Sequence, residues 1–331
     1  TFSQTNFSQI NYGISPADEG KILEKATVLI IDGYFSKAEP WIDSLLTLDS
    51  VNPYYNYLKG LISLYCRKDS QKSISFFSKA IARTEGKLDL LKIDTDVTND
   101  VFYHLGQAYH FVNNFDEAER FYTVFLERSK KNSVIYELIE IQLAQCAVAR
   151  KLLSNPLNVE VTKLDESINT QFPEYSPIIS ANGRELYFTS RRQWATIDQN
   201  EYMSPVDNSY PEDIYFSYKD AGSTWTSPKI LPLCTPFNNE ASLSLTSNMN
   251  TLYVYSDSIG EGDIFFSIFG KDEFYSMLNV EQEKLNTKKW ETHFVLSEDS
   301  SLIIFSSDRK GGYGGLDLWL LNKLEDGTWS K

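Results

Sequence analysis

The chain has 331 residues, 42% hydrophobic and 14% aromatic, which is enough for two domains with separate cores, and it contains no run of about 18 apolar residues that would span a membrane. Its net charge of −14 is uneven, with 17 Lys+Arg against 19 Asp+Glu in residues 1–155 and 14 against 26 in residues 156–331. An acidic second half repels phosphate backbones and argues against nucleic acid as the main partner.

The sequence opens on Thr1-Phe2-Ser3-Gln4 without Met, so it reads as processed or as cut from a longer chain. Residues 1–155 then carry one phrase three times: Gly33–Ala38, Asp69–Ile74 and Asn113–Ala118. Each is a short polar turn between two helical patterns. The third unit is clearest, with Tyr103, Leu105, Gly106, Ala108 and Tyr109 on its first helix and Ala118, Phe121, Tyr122 and Phe125 on its second. Gly106 and Ala118 are small where paired helices must approach. Residues 133–150 place Ile135, Leu138, Ile139, Leu143 and Cys146 at helical spacing, as in a capping helix.

These offsets resemble the tetratricopeptide repeat. The resemblance implies three helical hairpins and a cap, with a concave groove for a peptide or an extended partner segment. Tyr103, Gln107, His110 and Asn114 are the residues expected to line that groove. The spacing departs from the family's 34 residues, since Ala38 to Ile74 is 36 and Ile74 to Ala118 is 44. The excess falls on a longer loop over Thr84–Asp100.

Beyond Pro156 the period changes to alternation. Three hairpins align: Glu174–Ser180 with Glu185–Ser190, Glu240–Leu245 with Thr251–Ser256, and Glu291–Ser297 with Ser301–Ser306. Asn182-Gly183 supplies the positive φ of a tight turn. Asn248-Met249-Asn250 and Asp299-Ser300-Ser301 lack that glycine. A third strand follows each hairpin, at Asp213–Phe216, Asp263–Phe266 and Asp317–Leu320, the first after an insertion over Arg192–Glu212. Trp225 and Trp329 are expected to open fourth strands. Four short strands per repeat is blade architecture.

These phrases resemble the WD40-like repeats of TolB-type β-propellers. The expected fold is therefore α plus all-β: a helical array over 1–155, then about three blades over 156–331. Val159–Leu164 is expected to be a closing strand. Three blades cannot close a ring, so the propeller is expected to be incomplete here and to continue beyond Lys331.

Helical repeats followed by such blades, together with Asp308-Arg309-Lys310-Gly311-Gly312-Tyr313-Gly314-Gly315-Leu316-Asp317, resemble OmpA-family periplasmic envelope proteins of Bacteroidetes, including the component associated with type IX secretion and gliding. That resemblance implies a periplasmic or outer-membrane-associated scaffold whose partners are envelope proteins or peptide segments. Peptidoglycan would be reached only through a C-terminal OmpA-like domain that this sequence lacks.

No Gly-x-Ser-x-Gly elbow, His-Glu-x-x-His or Gly-Lys-Ser/Thr loop is present, so no catalytic, cofactor-binding or metal-binding residue is assigned. His104 and His110, six apart on one helix, point in different directions. Cys66, Cys146 and Cys234 have no disulfide or metal spacing and read as small buried thiols. Asp263 and Asp317 are expected to accept from strand-start amides. Calcium at Asp257, Glu261, Asp263, Asp308 and Asp317 is the other reading. Two further functions stay open: a propeller accessory of a hydrolase, which requires a downstream hydrolase sequence, and a glycan or small-ligand propeller. The latter needs Tyr187, Tyr215, Tyr253 and Trp319 in a pocket rather than between blades.

Overall fold

The computed structural model describes residues 16–82, 95–129, 134–259, 262–270, 273–280 and 284–330. The chain divides into two compact units, Thr1–Val159 with Pro205–Asn208, and Glu160–Ser204 with Ser209–Lys331. Among the described residues no helix is long and apolar enough to cross a membrane.

The first unit holds α1 (Pro16–Ile31), α2 (Phe35–Leu48), α3 (Pro53–Tyr65), α4 (Ser70–Ala82), α5 (Thr95–Phe111), α6 (Phe115–Arg128) and α7 (Val134–Ser154). α1 pairs with α2, α3 with α4 and α5 with α6, and each hairpin packs on the next. The array is tetratricopeptide-like. Local sequence sets the helix ends. Asn52 accepts from the amides of Tyr54 and Tyr55 with Pro53 in the first turn, and Asn114 accepts from Glu117 N. Gly33, Lys68 and Asn113 take positive φ where each first helix ends.

Helix contact inside a hairpin depends on one small residue. A Cβ on Gly60 would lie 2.3 Å from the Phe77 ring, and one on Gly106 would lie 2.4 Å from the Tyr122 ring. Ala26 and Ile42, both fully buried, hold these positions in the first hairpin. The buried small residue of α4, one turn before Phe77 as Ala118 is one turn before Tyr122, is Ser73, at 0% exposure, and not Ile74. The turn before it is one residue longer than the others, which shifts the register, so the repeat intervals are 35 and 45 residues. In the cap, Ile139 and Cys146 are buried but Leu138 is 44% exposed, and the Ile135 side chain lies outside the described residues. The loop expected over Thr84–Asp100 falls partly outside them too, and α5 begins at Thr95.

The second unit is three antiparallel sheets. The first is β1 (Glu174–Ile179), β2 (Glu185–Ser190), β3 (Asp213–Tyr218) and β4 (Lys229–Ile230), in that order. The second is β5 (Glu240–Leu245), β6 (Thr251–Ser256) and β7 (Asp263–Gly270), with β8 (Glu273–Phe274) and β9 (Leu278–Asn279) both on β7. The third is β10 (Glu291–Leu296), β11 (Leu302–Ser307) and β12 (Asp317–Asn322). These are propeller-type blades, and no closed ring is formed among the described residues. The insertion in the first blade carries a short 3-10 turn, Asn200–Tyr202.

Two expected strands are placed differently. Val159–Leu164 forms no strand; Val159 and Val161 are 69% and 92% exposed, and without a ladder partner an extended segment stays in solvent. Trp225 and Trp329 make single bridges to Lys219 and Lys323 instead of opening a fourth strand. In the first blade that strand starts four residues later, at Lys229.

The hairpin turns that lack glycine keep the same shape. Met249 and Ser300 take φ of 60° and 56° at the place where Gly183 has 68°. A side chain beside each turn compensates. Asn182, Asn248 and Asp299 accept from the amides of Arg184, Asn250 and Ser301 at 2.9–3.1 Å.

One polar latch recurs at the head of each blade. Register aligns Glu174, Ser190 and Asp213 across the first sheet, Glu240, Ser256 and Asp263 across the second, and Glu291, Ser307 and Asp317 across the third. Each Glu accepts from the backbone N and Oγ1 of a preceding Thr: Thr170, Thr235 and Thr287. In the third blade Arg309 reaches Glu291 at 2.9 Å, Ser307 Oγ at 3.0 Å and the carbonyls of Lys284 and Leu285. Arg192 makes the same set in the first blade with Glu174, Ser190, Ser167 and Ile168. The guanidinium faces also lie over Phe305 and Tyr215, at 4.6 and 4.7 Å.

Three substitutions probe this packing. Gly106→Ala should destabilise the helical unit by about 1–3 kcal/mol through overpacking against Tyr122. Gly20→Ala, with open space around its Cβ position, should stabilise α1 by about 0.5–1 kcal/mol; helical circular dichroism during denaturant unfolding checks both. Arg309→Met leaves the fully buried Glu291 without its cation and should cost the sheet unit about 3–5 kcal/mol, read from tryptophan fluorescence on unfolding.

Candidate interaction face of the helical array

Helical periodicity puts Tyr103, Gln107 and Phe111 on one stripe of α5. Gly106 and Gly60 hold the same place in their hairpins, so Phe111 corresponds to Tyr65 on α3, and to Ile31 on α1. Phe111 and Ile31 are 65% and 77% exposed, and Tyr65 is half-buried. An apolar row therefore runs along the first helices of the hairpins.

Beside this row lies an ordered polar chain. Tyr65 OH donates to Gln107 Oε1 at 2.6 Å, and Gln107 Nε2 donates to Tyr103 OH at 3.1 Å. His104 Nδ1 lies 2.9 Å from Tyr65 OH and 3.0 Å from Gln107 Oε1. A proton on Nδ1 satisfies these contacts, because the Tyr65 proton is already given to Gln107. The imidazole is enclosed by the rings of Tyr57, Tyr65, Phe77 and Tyr103. Burial holds His104 down at about 4, against a weaker upward pull from Gln107, so the ring is neutral at physiological pH. Burial likewise lifts the Tyr65 and Tyr103 phenols. The face thus presents neutral, fixed donors and acceptors next to aromatic surface. Such a surface suits an extended segment that offers backbone amides and one or two apolar side chains.

Of the four residues expected to line the groove, Tyr103 and Gln107 are brought together. His110 turns away from them: Nδ1 faces Cys146 Sγ at 3.7 Å, and the ring packs edge-on to Phe115 and Tyr122. Asn114 is the N-cap of α6. Tyr65, His104 and Phe111 belong to the face and were not anticipated as groove residues. Phe111 was findable as the residue one turn past Gln107. Tyr65 required the correct alignment of the second hairpin.

The second unit's candidate residues are mostly structural. Tyr187 and Tyr215 are buried, Tyr253 packs on Phe294 at 4.3 Å, and Trp319 donates to Ser307 O at 3.2 Å. Asp257 and Asp308 accept from the amides of Asn239 and Trp290, and Asp317 from those of Tyr313 and Gly314. Asp317 thus holds the glycine-rich loop and not its own strand start. Asp263 is buried, and burial raises its carboxyl. Glu261 lies outside the described residues.

No protein-family model matches the sequence, and no curated protein matches it. Solved structures similar to it include the tetratricopeptide domain of Sgt2 from Aspergillus fumigatus, at 13% identity and TM-score 0.34, covering 46% of this chain and 91% of that one. They also include a puromycin-hydrolyzing peptidase of Mycobacterium tuberculosis, at 15% identity and TM-score 0.29, covering 46% and 21%. Prolyl oligopeptidase B from Galerina marginata is similar at 9% identity and TM-score 0.30, covering 48% and 21%. The chain spans about a fifth of each peptidase. At these values the fold assignment stands on the hairpins and sheets described above.

The His104 site predicts a pH dependence. Its folded value of about 4 lies below the ordinary 6.5, so the unfolded chain binds this proton first as pH falls. The stability it contributes is complete above pH 6.5 and is lost on going down to pH 4. His104→Gln should flatten the helical unit's stability over that window relative to the wild type, as measured by urea unfolding at pH 7, 5.5 and 4.5.

Proposed function

We propose that this chain is a non-enzymatic scaffold of the bacterial envelope that binds an extended segment of a partner protein along the first helices of its hairpins. The observation that carries the reading is the Tyr65–Gln107–Tyr103 chain beside exposed Phe111 and Ile31. It is an apolar row with an ordered polar edge, and its groups are already fixed before any partner arrives. The periplasmic setting, with type IX secretion or gliding machinery as partner and the cell wall reached through an OmpA-like domain, draws its support from the glycine-rich Asp308–Asp317 loop and from the order of helical array and blades. The sheet unit is read as a second protein-binding module.

The test compares wild type with Gln107→Ala/Phe111→Ala as bait in envelope extracts, after circular dichroism has shown equal helicity. A defined envelope protein retained by wild type should be reduced at least about tenfold by the double variant, the equivalent of about 1.4 kcal/mol. Equal recovery by both would remove the helical face from the reading. Failure of the full-length protein to sediment with purified cell wall would remove the wall-linking role.

A further inference from the structure

Successive blades meet through a pair of carboxylates. The first strand of a blade hydrogen-bonds back to the preceding blade, by Glu240 N to Glu212 O at 2.7 Å and by Glu291 N to Gly262 O at 3.0 Å. Each contact sets a Glu beside the Asp that opens the preceding blade's third strand. The pairs are Asp213 with Glu240 and Asp263 with Glu291.

The two junctions handle that negative charge differently. At the later one, Arg309 lies on Glu291, and Asn286 bridges the strand by accepting from Ile264 N at 3.0 Å and donating to Ile264 O at 2.7 Å. At the earlier one, Ser258 stands where Arg309 and Arg192 stand in the other blades. Cys234 stands in place of Asn286, with Ile214 N donating to its Sγ at 3.2 Å. Both differences fall at one point. Between them they remove a cation and install a soft donor.

What remains is a buried group of Asp213, Cys234 and Glu240, each offering a ligand atom within 4.8 Å of the others. Asp213 and Glu240 are fully buried. Trp194 Nε1 donates to Asp213 Oδ2 at 2.6 Å and the Gln199 side chain also favours the carboxylate, while Oδ1 is buried with no hydrogen-bond partner among the described residues. An orphaned carboxylate oxygen beside a thiol and a second carboxylate is an arrangement that a cation completes.

We propose that Asp213, Cys234 and Glu240 bind a divalent transition-metal ion of the zinc class, which supplies at this blade junction the positive charge that Arg309 supplies at the next. The thiolate favours such an ion over calcium or magnesium. Zinc with sulfur and oxygen ligands at about 2.0–2.3 Å needs donor atoms about 3.3–3.8 Å apart, so side-chain rotation of an ångström or so closes the site. Binding releases the Cys234 proton and the proton held between the Asp213 and Glu240 carboxyls, and the metal–sulfur and metal–oxygen bonds form in their place. The enclosed position makes the ion a structural clasp between the first and second blades.

The test uses the untagged full chain, stripped with chelator, reloaded with zinc and desalted. Elemental analysis should find about one zinc per chain in wild type and under about a tenth of that in Cys234→Asn, which installs the amide seen at the other junction. Cobalt loading should give a thiolate-to-cobalt charge-transfer band in wild type that Cys234→Asn lacks. Ser258→Arg should fold, bind little zinc and match the thermal stability of zinc-loaded wild type. Zinc retention by Cys234→Asn equal to wild type, or a wild type that holds no zinc after reloading, would overturn the proposal. Should Cys234→Asn fail to fold, Ser258→Arg with unchanged zinc content would overturn it equally.

Discussion

The buried glutamate at the head of each blade is the interaction on which the sheet unit depends. Glu174, Glu240 and Glu291 sit at the first position of their blades with most or all of the side chain out of solvent. A buried carboxylate is tolerated only where donors surround it. The Thr before it gives two, and the Ser at the end of the neighbouring strand and the Arg two residues later complete the set in the outer blades. These partners come from three separate chain segments, so satisfying one charge fixes a loop, a hairpin and the entry to the blade together. Burial, with a smaller push from the Asp257 charge, lifts Glu240, which has no arginine at the corresponding position, to about 7, and the hydrogen bonds from Thr235 only partly oppose it.

The helical unit is governed by a different constraint, the closeness of paired helices. Gly60 and Gly106 let the rings of Phe77 and Tyr122 occupy the space where a Cβ would stand. The same Phe77 ring stacks on His104 of α5, and beside it Tyr65 on α3 reaches Gln107 on α5. The polar chain on the candidate face is thus a consequence of packing in the hairpin interior.

Much of this was legible in the sequence, because repeats print the same physical demand several times. The hairpins, the cap and the three strand triplets were readable from periodicity alone. Register was harder. Ser73, rather than Ile74, is the small residue of the second hairpin because its turn is one residue longer, and a period cannot reveal where an extra residue is absorbed. The turns at Met249 and Ser300 show the converse, since Asn248 and Asp299 stabilise a left-handed backbone without the glycine. Val159–Leu164 alternates like a strand yet pairs with no strand among the described residues, because alternation states a preference and a ladder needs a partner. The Asp213–Cys234–Glu240 group was invisible as a motif: its members are spread over three segments and become neighbours only through blade register.

The complementarity between small and large residues inside the hairpins has an evolutionary consequence. Ala26 and Ile42 hold in the first hairpin the places that glycine and the rings of Phe77 and Tyr122 hold in the other two. Size at one helix is therefore conditional on size at the other, and drift at either position is blocked unless its mate changes as well. Among homologues these positions should vary as linked pairs, a ring with glycine or an aliphatic chain with alanine, so that each hairpin carries a hereditary record of its own packing that is independent of its neighbours.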